Sequence, residues 1–190
     1  MITPPKGDIV SIPLSFAGQQ AAEAWDPAKD EAAGEQCKAY GAPGLMRGPI
    51  RMRISWQDDT TLKVETDYGM QTRLLRFGTG AQPGARSWQG QTTAQWMARG
   101  GRGGRFGTLK TVTTNLRPGY LRKNGVPYSD RTTFTEFWDV HSLPNGDRLI
   151  VNTNIVEDPV YLQLPFQNAI HYKLEKDTSK WDPTPCDARF

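Results

Sequence analysis

The chain has 190 residues, 37% of them hydrophobic and 23% charged, enough for one domain whose core buries roughly 70% of the surface the unfolded chain exposes. A structural metal or a dense disulfide framework is therefore not required, and a mean hydropathy of −0.61 with no apolar run near the roughly 18 residues that span a bilayer excludes a transmembrane helix. A formal net charge of +3 from 23 basic and 20 acidic residues permits nucleic acid as a partner without implying it.

In chain order, residues 1–48 read as an extended and helical segment packed on the strand-rich remainder of the chain. Its start, Met1-Ile-Thr-Pro-Pro-Lys, shows no positive segment followed by an apolar stretch, the pattern of a cytoplasmic chain or of the mature form of an exported one. Residues 2–16 are Pro-rich and extended. Residues 17–36 read as helical through Ala21, Ala22, Ala24, Ala32 and Ala33, and Asp26 before Pro27 is placed to cap a second helix.

From residue 49 to 176 the period of the apolar positions becomes two, the signature of half-buried strands. Met52, Ile54 and Trp56 alternate with Arg51, Arg53 and Ser55; Leu62, Val64 and Thr66 return after a turn at Asp58-Asp59-Thr60; Arg73, Leu75 and Phe77 share a third strand. Residues 78–86 read as a loop, and residues 88–96, from Trp88 to Trp96, as a fourth strand. A Gly/Arg loop at 99–107 leads to a β-branched strand at 108–116. Asn124-Gly125 reads as a type I′ hairpin turn. Residues 131–140 and 148–156 form a strand pair across Pro144-Asn145-Gly146, two shorter strands come next at 160–164 and 169–175, and 177–190 is an irregular tail.

Eight to ten short strands joined by turns predict an all-β fold, an antiparallel up-and-down, lipocalin-like β-barrel with the N-terminal helical segment outside it or across one mouth. A two-sheet β-sandwich is the alternative. A barrel of about eight strands encloses side chains or one small ligand, so the strand faces carry the functional signal. Thr132, Phe134, Glu136 and Trp138 share one face of their strand; on its partner, Leu149, Val151, Thr153 and Ile155 oppose Ile150, Asn152, Asn154 and Val156. A carboxylate among aromatics is what a polar-anchored pocket needs, and it is equally the look of an outer face. Trp56, Trp88, Trp96 and Trp138 on separate strands imply an aromatic interior, as core or as cavity lining.

Cys37 and Cys186 show no metal or redox spacing and are either one long-range disulfide or two inert thiols. His141 falls in a turn and His171 on the last strand, with no acidic or Cys neighbours at ligand spacing, so no metal and no cofactor are expected. Nothing resembles GxSxG, a P-loop or a GxGxxG after a strand. The RGGRGGRF stretch at 99–106 is shorter than RGG nucleic-acid segments and reads as a hairpin loop, which argues against nucleic acid as a partner.

The segments GTLKTVTTNLRPGYLRKNGVPYSDRTTFTEFW (107–138) and VEDPVYLQLPF (156–166) resemble a large, uncharacterised family of small exported bacterial proteins. Its pattern reads approximately GDTLVVETTGFN…W…G.PHSE.L.VTERF…DP..Y..PW, with one Cys early and one late. The resemblance spans about 25–186 and places Thr113, Thr114, Gly125, Pro127, Ser129, Thr135, Glu136, Asp158, Pro159, Tyr161 and Pro165 at matching positions, with Cys37 and Cys186. Tyr128 stands where the pattern has His, and Asp130 where it has Glu. The resemblance brings no reaction; it implies a Cys37–Cys186 disulfide and a periplasmic or secreted protein, with the cytoplasm as the alternative.

Three functions compete. The first is a barrel holding a small apolar or aromatic molecule, lined by Trp56, Trp88, Trp96, Trp138, Asn154 and Tyr161 and anchored by Glu136, Tyr128 or Asn154. The second is a cofactor-independent lyase, isomerase or hydratase in which Glu136 or Asp158 is the base and Tyr128, Tyr161 or His171 the proton donor; it requires at least two of Glu136, Asp158, Tyr128 and His171 to converge. The third is a structural or interaction protein, and an oligomer is compatible with all three.

Overall fold

Alternating apolar and polar side chains from Met52 onward produce ten strands in the computed structural model, which describes residues 4–78, 84–98 and 107–189. They are β1 (Met52–Asp58), β2 (Thr61–Thr66), β3 (Thr72–Phe77), β4 (Gln91–Ala98), β5 (Gly107–Thr114), β6 (Gly119–Arg122), β7 (Val126–Tyr128), β8 (Thr133–Ser142), β9 (Arg148–Glu157) and β10 (Phe166–Lys173). Strands make up 44% of the protein and helices 15%, so the fold is all-β. Eight strands form one curled sheet in the order β1-β2-β3-β4-β5-β8-β9-β10, and β6-β7 make a separate hairpin. The sheet curls into a half-barrel with β1 and β10 as its edges.

Neighbours in the large sheet are antiparallel except β3 and β4, which run parallel with Leu75 opposite Thr92. A parallel partner requires the chain to return to the end where β3 began, which no tight turn can do. The connection over 78–90 therefore replaces the hairpin that an up-and-down order has at that place.

Four short helical pieces precede the sheet: α1 (Phe16–Glu23), α2 (Pro27–Ala32), a 3₁₀ turn at Gln36–Tyr40 and α3 (Ala42–Leu45). Ser15 caps α1 by accepting from the Gly18 N–H at 3.1 Å. Asp26 caps α2 by accepting from the Ala28 N–H at 3.0 Å, with Pro27 in the first turn, where its missing N–H costs nothing. The pieces pack on the β6-β7 hairpin at the end where β5 finishes and β8 begins. That end is capped. The other end, with the β1-β2 and β8-β9 turns, is left open by the described residues.

Two local expectations are corrected. Asn124-Gly125 does not form a type I′ turn: Gly125 has φ +86°, but Asn124 is not in the left-handed region, and its amide donates instead to the carbonyls of Pro5 and Asp8 at 3.0 and 2.9 Å. The Asn side chain thus fastens the N-terminal segment, and any Cβ on Gly125 would collide with the Trp25 ring at 2.2 Å. Residues 160–164 form no strand, because the Asp158 carboxylate collects the N–H groups of Val160 and Tyr161 at 2.8 and 3.0 Å and turns the chain. The RGGRGGRF loop lies outside the described residues, as do residues 79–83 of the expected loop at 78–86.

Cys37 and Cys186 form a disulfide, with Cα atoms 5.1 Å apart. It ties the 3₁₀ turn at Gln36–Tyr40 to the tail, which crosses the sheet edge with Trp181 stacked on the Arg53 guanidinium at 4.1 Å and Thr184 bridged to Tyr68. No described helix is long and apolar enough to cross a membrane.

Candidate binding hollow

The register determines which side chains meet inside the curl. Thr92 faces Thr113, Thr111 faces Glu136, Glu136 faces Asn154 and Asn154 faces Asn168. The inner face of β9 is the one that carries Ile150, Asn152, Asn154 and Val156; Leu149, Val151, Thr153 and Ile155 point outward. Along the strands the inner face has three levels: aromatic and aliphatic core at the capped end, a polar middle, and an apolar open end.

The middle level centres on an ion pair whose side chains are both fully buried, Arg73 and Glu136. Arg73 donates to both carboxylate oxygens, with Nη1 3.0 Å from Oε1. Thr111 adds a 3.1 Å bond to Oε2 and Asn152 a 3.5 Å contact to Oε1, while Arg73 Nη2 reaches Thr113 at 3.4 Å. A buried ion pair is tolerated only when the fork-to-carboxylate geometry and further hydrogen bonds offset desolvation. Arg73 Nε, Asn152 Oδ1, Asn154 Oδ1 and Asn168 Nδ2 are buried without a partner among the described residues. The layer is polar and carries no net charge.

Above it, toward the open end, lies a hollow of about 280 Å³. Val64, Leu75, Leu109 and Trp138 form its base, all buried. Ile54, Trp96, Val140 and Ile150 form its rim. Trp96 is 60% exposed, Val140 55% and Ile54 39%, although each points to the inner face of the sheet. Phe77 continues the rim by stacking on Trp96 with centroids 5.8 Å apart, and Trp56, itself 55% exposed, leans on Phe77 at 5.5 Å. A second cleft of about 480 Å³ opens between the two edge strands, sharing Ile54, Val140 and Ile150 with the hollow.

The remaining predicted site residues separate. Asp158 is buried under the capped end, where it accepts from Ser129 Oγ at 3.0 Å and Thr132 Oγ1 at 2.6 Å besides the turn N–H groups. Burial alone would raise its carboxyl, yet the bonds from Thr132, Ser129, Tyr161 and Val160 outweigh it and hold the group below the usual range. Tyr161 contributes through its backbone there, donating to Asp158 and accepting from the Ser15 N–H at 2.9 Å. Tyr128 is fully buried beside Gly41 and Gly119, whose missing Cβ atoms leave room for its hydroxyl. Burial pushes that hydroxyl far above its usual range, and it has no hydrogen-bond partner among the described residues. His171 is exposed on the outer face of β10 at the margin of the seam cleft. Glu136, Asp158, Tyr128 and His171 thus occupy four different surroundings, and no hydrogen bond joins any two of them.

Trp88, expected in a strand, precedes β4 at the capped end, where it lies under the Arg117 guanidinium at 4.2 Å and its carbonyl accepts from Ala42. It does not line the hollow. Of the residues named from sequence, Trp96 and Trp138 line the hollow, Trp56 extends its rim, and Glu136 and Asn154 belong to the polar layer beneath. Arg73, Leu75, Leu109, Val140 and Ile150 are the additions. Arg73 left a signal in the sequence, since it alternates in phase with Leu75 and Phe77, and a cation on an apolar face requires a buried counter-charge.

Among the described residues no group of three or more His, Cys, Asp or Glu is placed to hold a metal ion. Compared with family models, with curated proteins and with solved structures, the chain matches none.

Proposed function

We propose that the protein binds a small apolar or aromatic molecule in the hollow at the open end of its half-barrel. The carrying observation is that Ile54, Trp96 and Val140 lie on the inner face yet remain exposed around a hollow whose base is buried. In a protein whose interior only packs against itself, such inward side chains are covered; large exposed apolar surface in a concavity marks binding. The base of the hollow is apolar, and the Arg73–Glu136 layer beneath it is buried and neutral within itself, which suits an uncharged apolar body.

Export fits the same reading. A disulfide persists in an oxidising compartment, and the likeness of 107–138 and 156–166 to small exported bacterial proteins supports the periplasm or the extracellular space.

Titration with octan-1-ol, read by tryptophan fluorescence, tests the hollow. Saturable quenching or blue shift from Trp96 and Trp138 is expected, and Val140→Trp, a substitution at an exposed rim position, should weaken binding about tenfold without unfolding the protein. Absence of saturable binding, or binding unchanged by Val140→Trp, overturns the proposal.

A further inference from the structure

The cleft along the seam differs from the hollow in its charge. Its walls are Ile50, Met52 and Ile54 from the β1 side and Tyr172 and Leu174 from the β10 side, and basic groups surround them. Arg51, Arg148, His171 and Lys173 border it against one carboxylate, Glu175. Arg51 is engaged by Asp67 at 3.1 Å, Lys173 by Asp147 at 2.8 Å and Glu175 by Lys180 at 2.6 Å. Arg148 alone among these full charges has no ion pair or hydrogen bond from its side chain within the described residues. It stands at the start of β9, two positions before Ile150, which lines both the seam cleft and the hollow.

We infer that the seam selects an amphiphile with one negative head group, a medium-chain carboxylate, whose head meets Arg148 and whose chain passes over Ile54, Val140 and Ile150 into the hollow. The inference deepens the proposed function and rests on it. Two features set the orientation. The base of the hollow is apolar and the ion pair beneath it is already neutralised by itself, so a carboxylate placed there would desolvate without a free counter-charge. The seam offers an uncompensated guanidinium beside solvent, where a carboxylate keeps its water on one side and gains a charge-assisted fork on the other. Tyr172 supports the seam by donating to the Met46 carbonyl at 2.6 Å, which joins β10 to the segment leading into β1.

The test compares octanoate, octan-1-ol and octyltrimethylammonium by calorimetric titration at pH 7.5 in low salt and in high salt. Octanoate should bind about tenfold more tightly than the alcohol, the scale of one charge-assisted pair, and the ammonium most weakly. Arg148→Gln should bring octanoate to the level of the alcohol, Arg148→Lys should retain part of the preference, and high salt should shrink it. Equal binding of octanoate and octanol, or a preference that survives Arg148→Gln, overturns the role of the seam while leaving the hollow intact. Binding of none of the three overturns both.

Discussion

The two ends of the half-barrel are made from the same strands and treated differently. At the capped end, α1 to α3 and the β6-β7 hairpin close over the sheet, with the disulfide-tied tail along its edge, and Phe134, Val156, Leu116 and Tyr128 are all but inaccessible. At the open end nothing described covers Trp56, Trp96 and Val140. The polar layer of Arg73 and Glu136 separates the two. Stability is concentrated on one side of that layer and exposed apolar surface on the other, so substitutions on the two sides should have separable effects.

The largest effect is expected at the divide itself. Glu136→Leu leaves the Arg73 guanidinium buried and uncompensated and should destabilise by about 3–5 kcal/mol, whereas Arg73→Met combined with Glu136→Leu should recover most of the loss. Urea denaturation of the two variants measures this; a double variant as unstable as the single one would show that the pair itself, and not its unpaired remnant, sustains the fold.

At the capped end, Cys186→Ser releases the tail and should cost roughly 2–5 kcal/mol, with octanol affinity at the open end little changed in the folded fraction. A thiol assay on unreduced, denatured wild-type protein should find none. Asp158→Asn weakens a hub of buried donors and should cost about 2–3 kcal/mol. Because the folded-state carboxyl lies below its ordinary value, the stability it contributes is complete above the unfolded value of about 4 and is lost as pH falls through the folded one. The wild-type midpoint should therefore fall on acidification below about pH 4 more steeply than that of Asp158→Asn. The smallest effect is at Tyr128: its hydroxyl has no described partner, so Tyr128→Phe should change stability by about 1 kcal/mol or less, in the stabilising direction. A large loss there would reveal a hydrogen bond to that hydroxyl.

Much of this division is legible in the chain itself, for reasons tied to particular residues. The Ala-rich stretch with Asp26-Pro27 predicts two helices because a cap and a proline at the first turn are local signals. The phase of Phe134, Glu136 and Trp138 predicts one shared face because alternation needs no tertiary information. The parallel pairing of β3 with β4 is not legible, since a Gly/Pro-rich stretch has the same composition whether it turns back at once or returns along the strand. The turn at 160–164 reads as a strand because its β-branched and aromatic residues favour one, and a nearby carboxylate, Asp158, overrides that preference by collecting their N–H groups. The Arg73–Glu136 pair needs a register across strands 63 positions apart, which no single strand records. How far the sheet closes depends on whether its edge strands β1 and β10 pair, which they do not, and alternation reads the same in a closed barrel and in an open curl.

The claim that the open end is a ligand hollow is tested most directly by monitoring backbone and methyl NMR signals of the intact protein during titration with octan-1-ol. Saturable shifts should concentrate at Ile54, Leu75, Leu109, Val140 and Ile150 and at the Trp96 and Trp138 indoles, with the capped-end residues Val126, Val156 and Leu116 unmoved. Shifts centred on the capped end, or none at all at saturating alcohol, would contradict it.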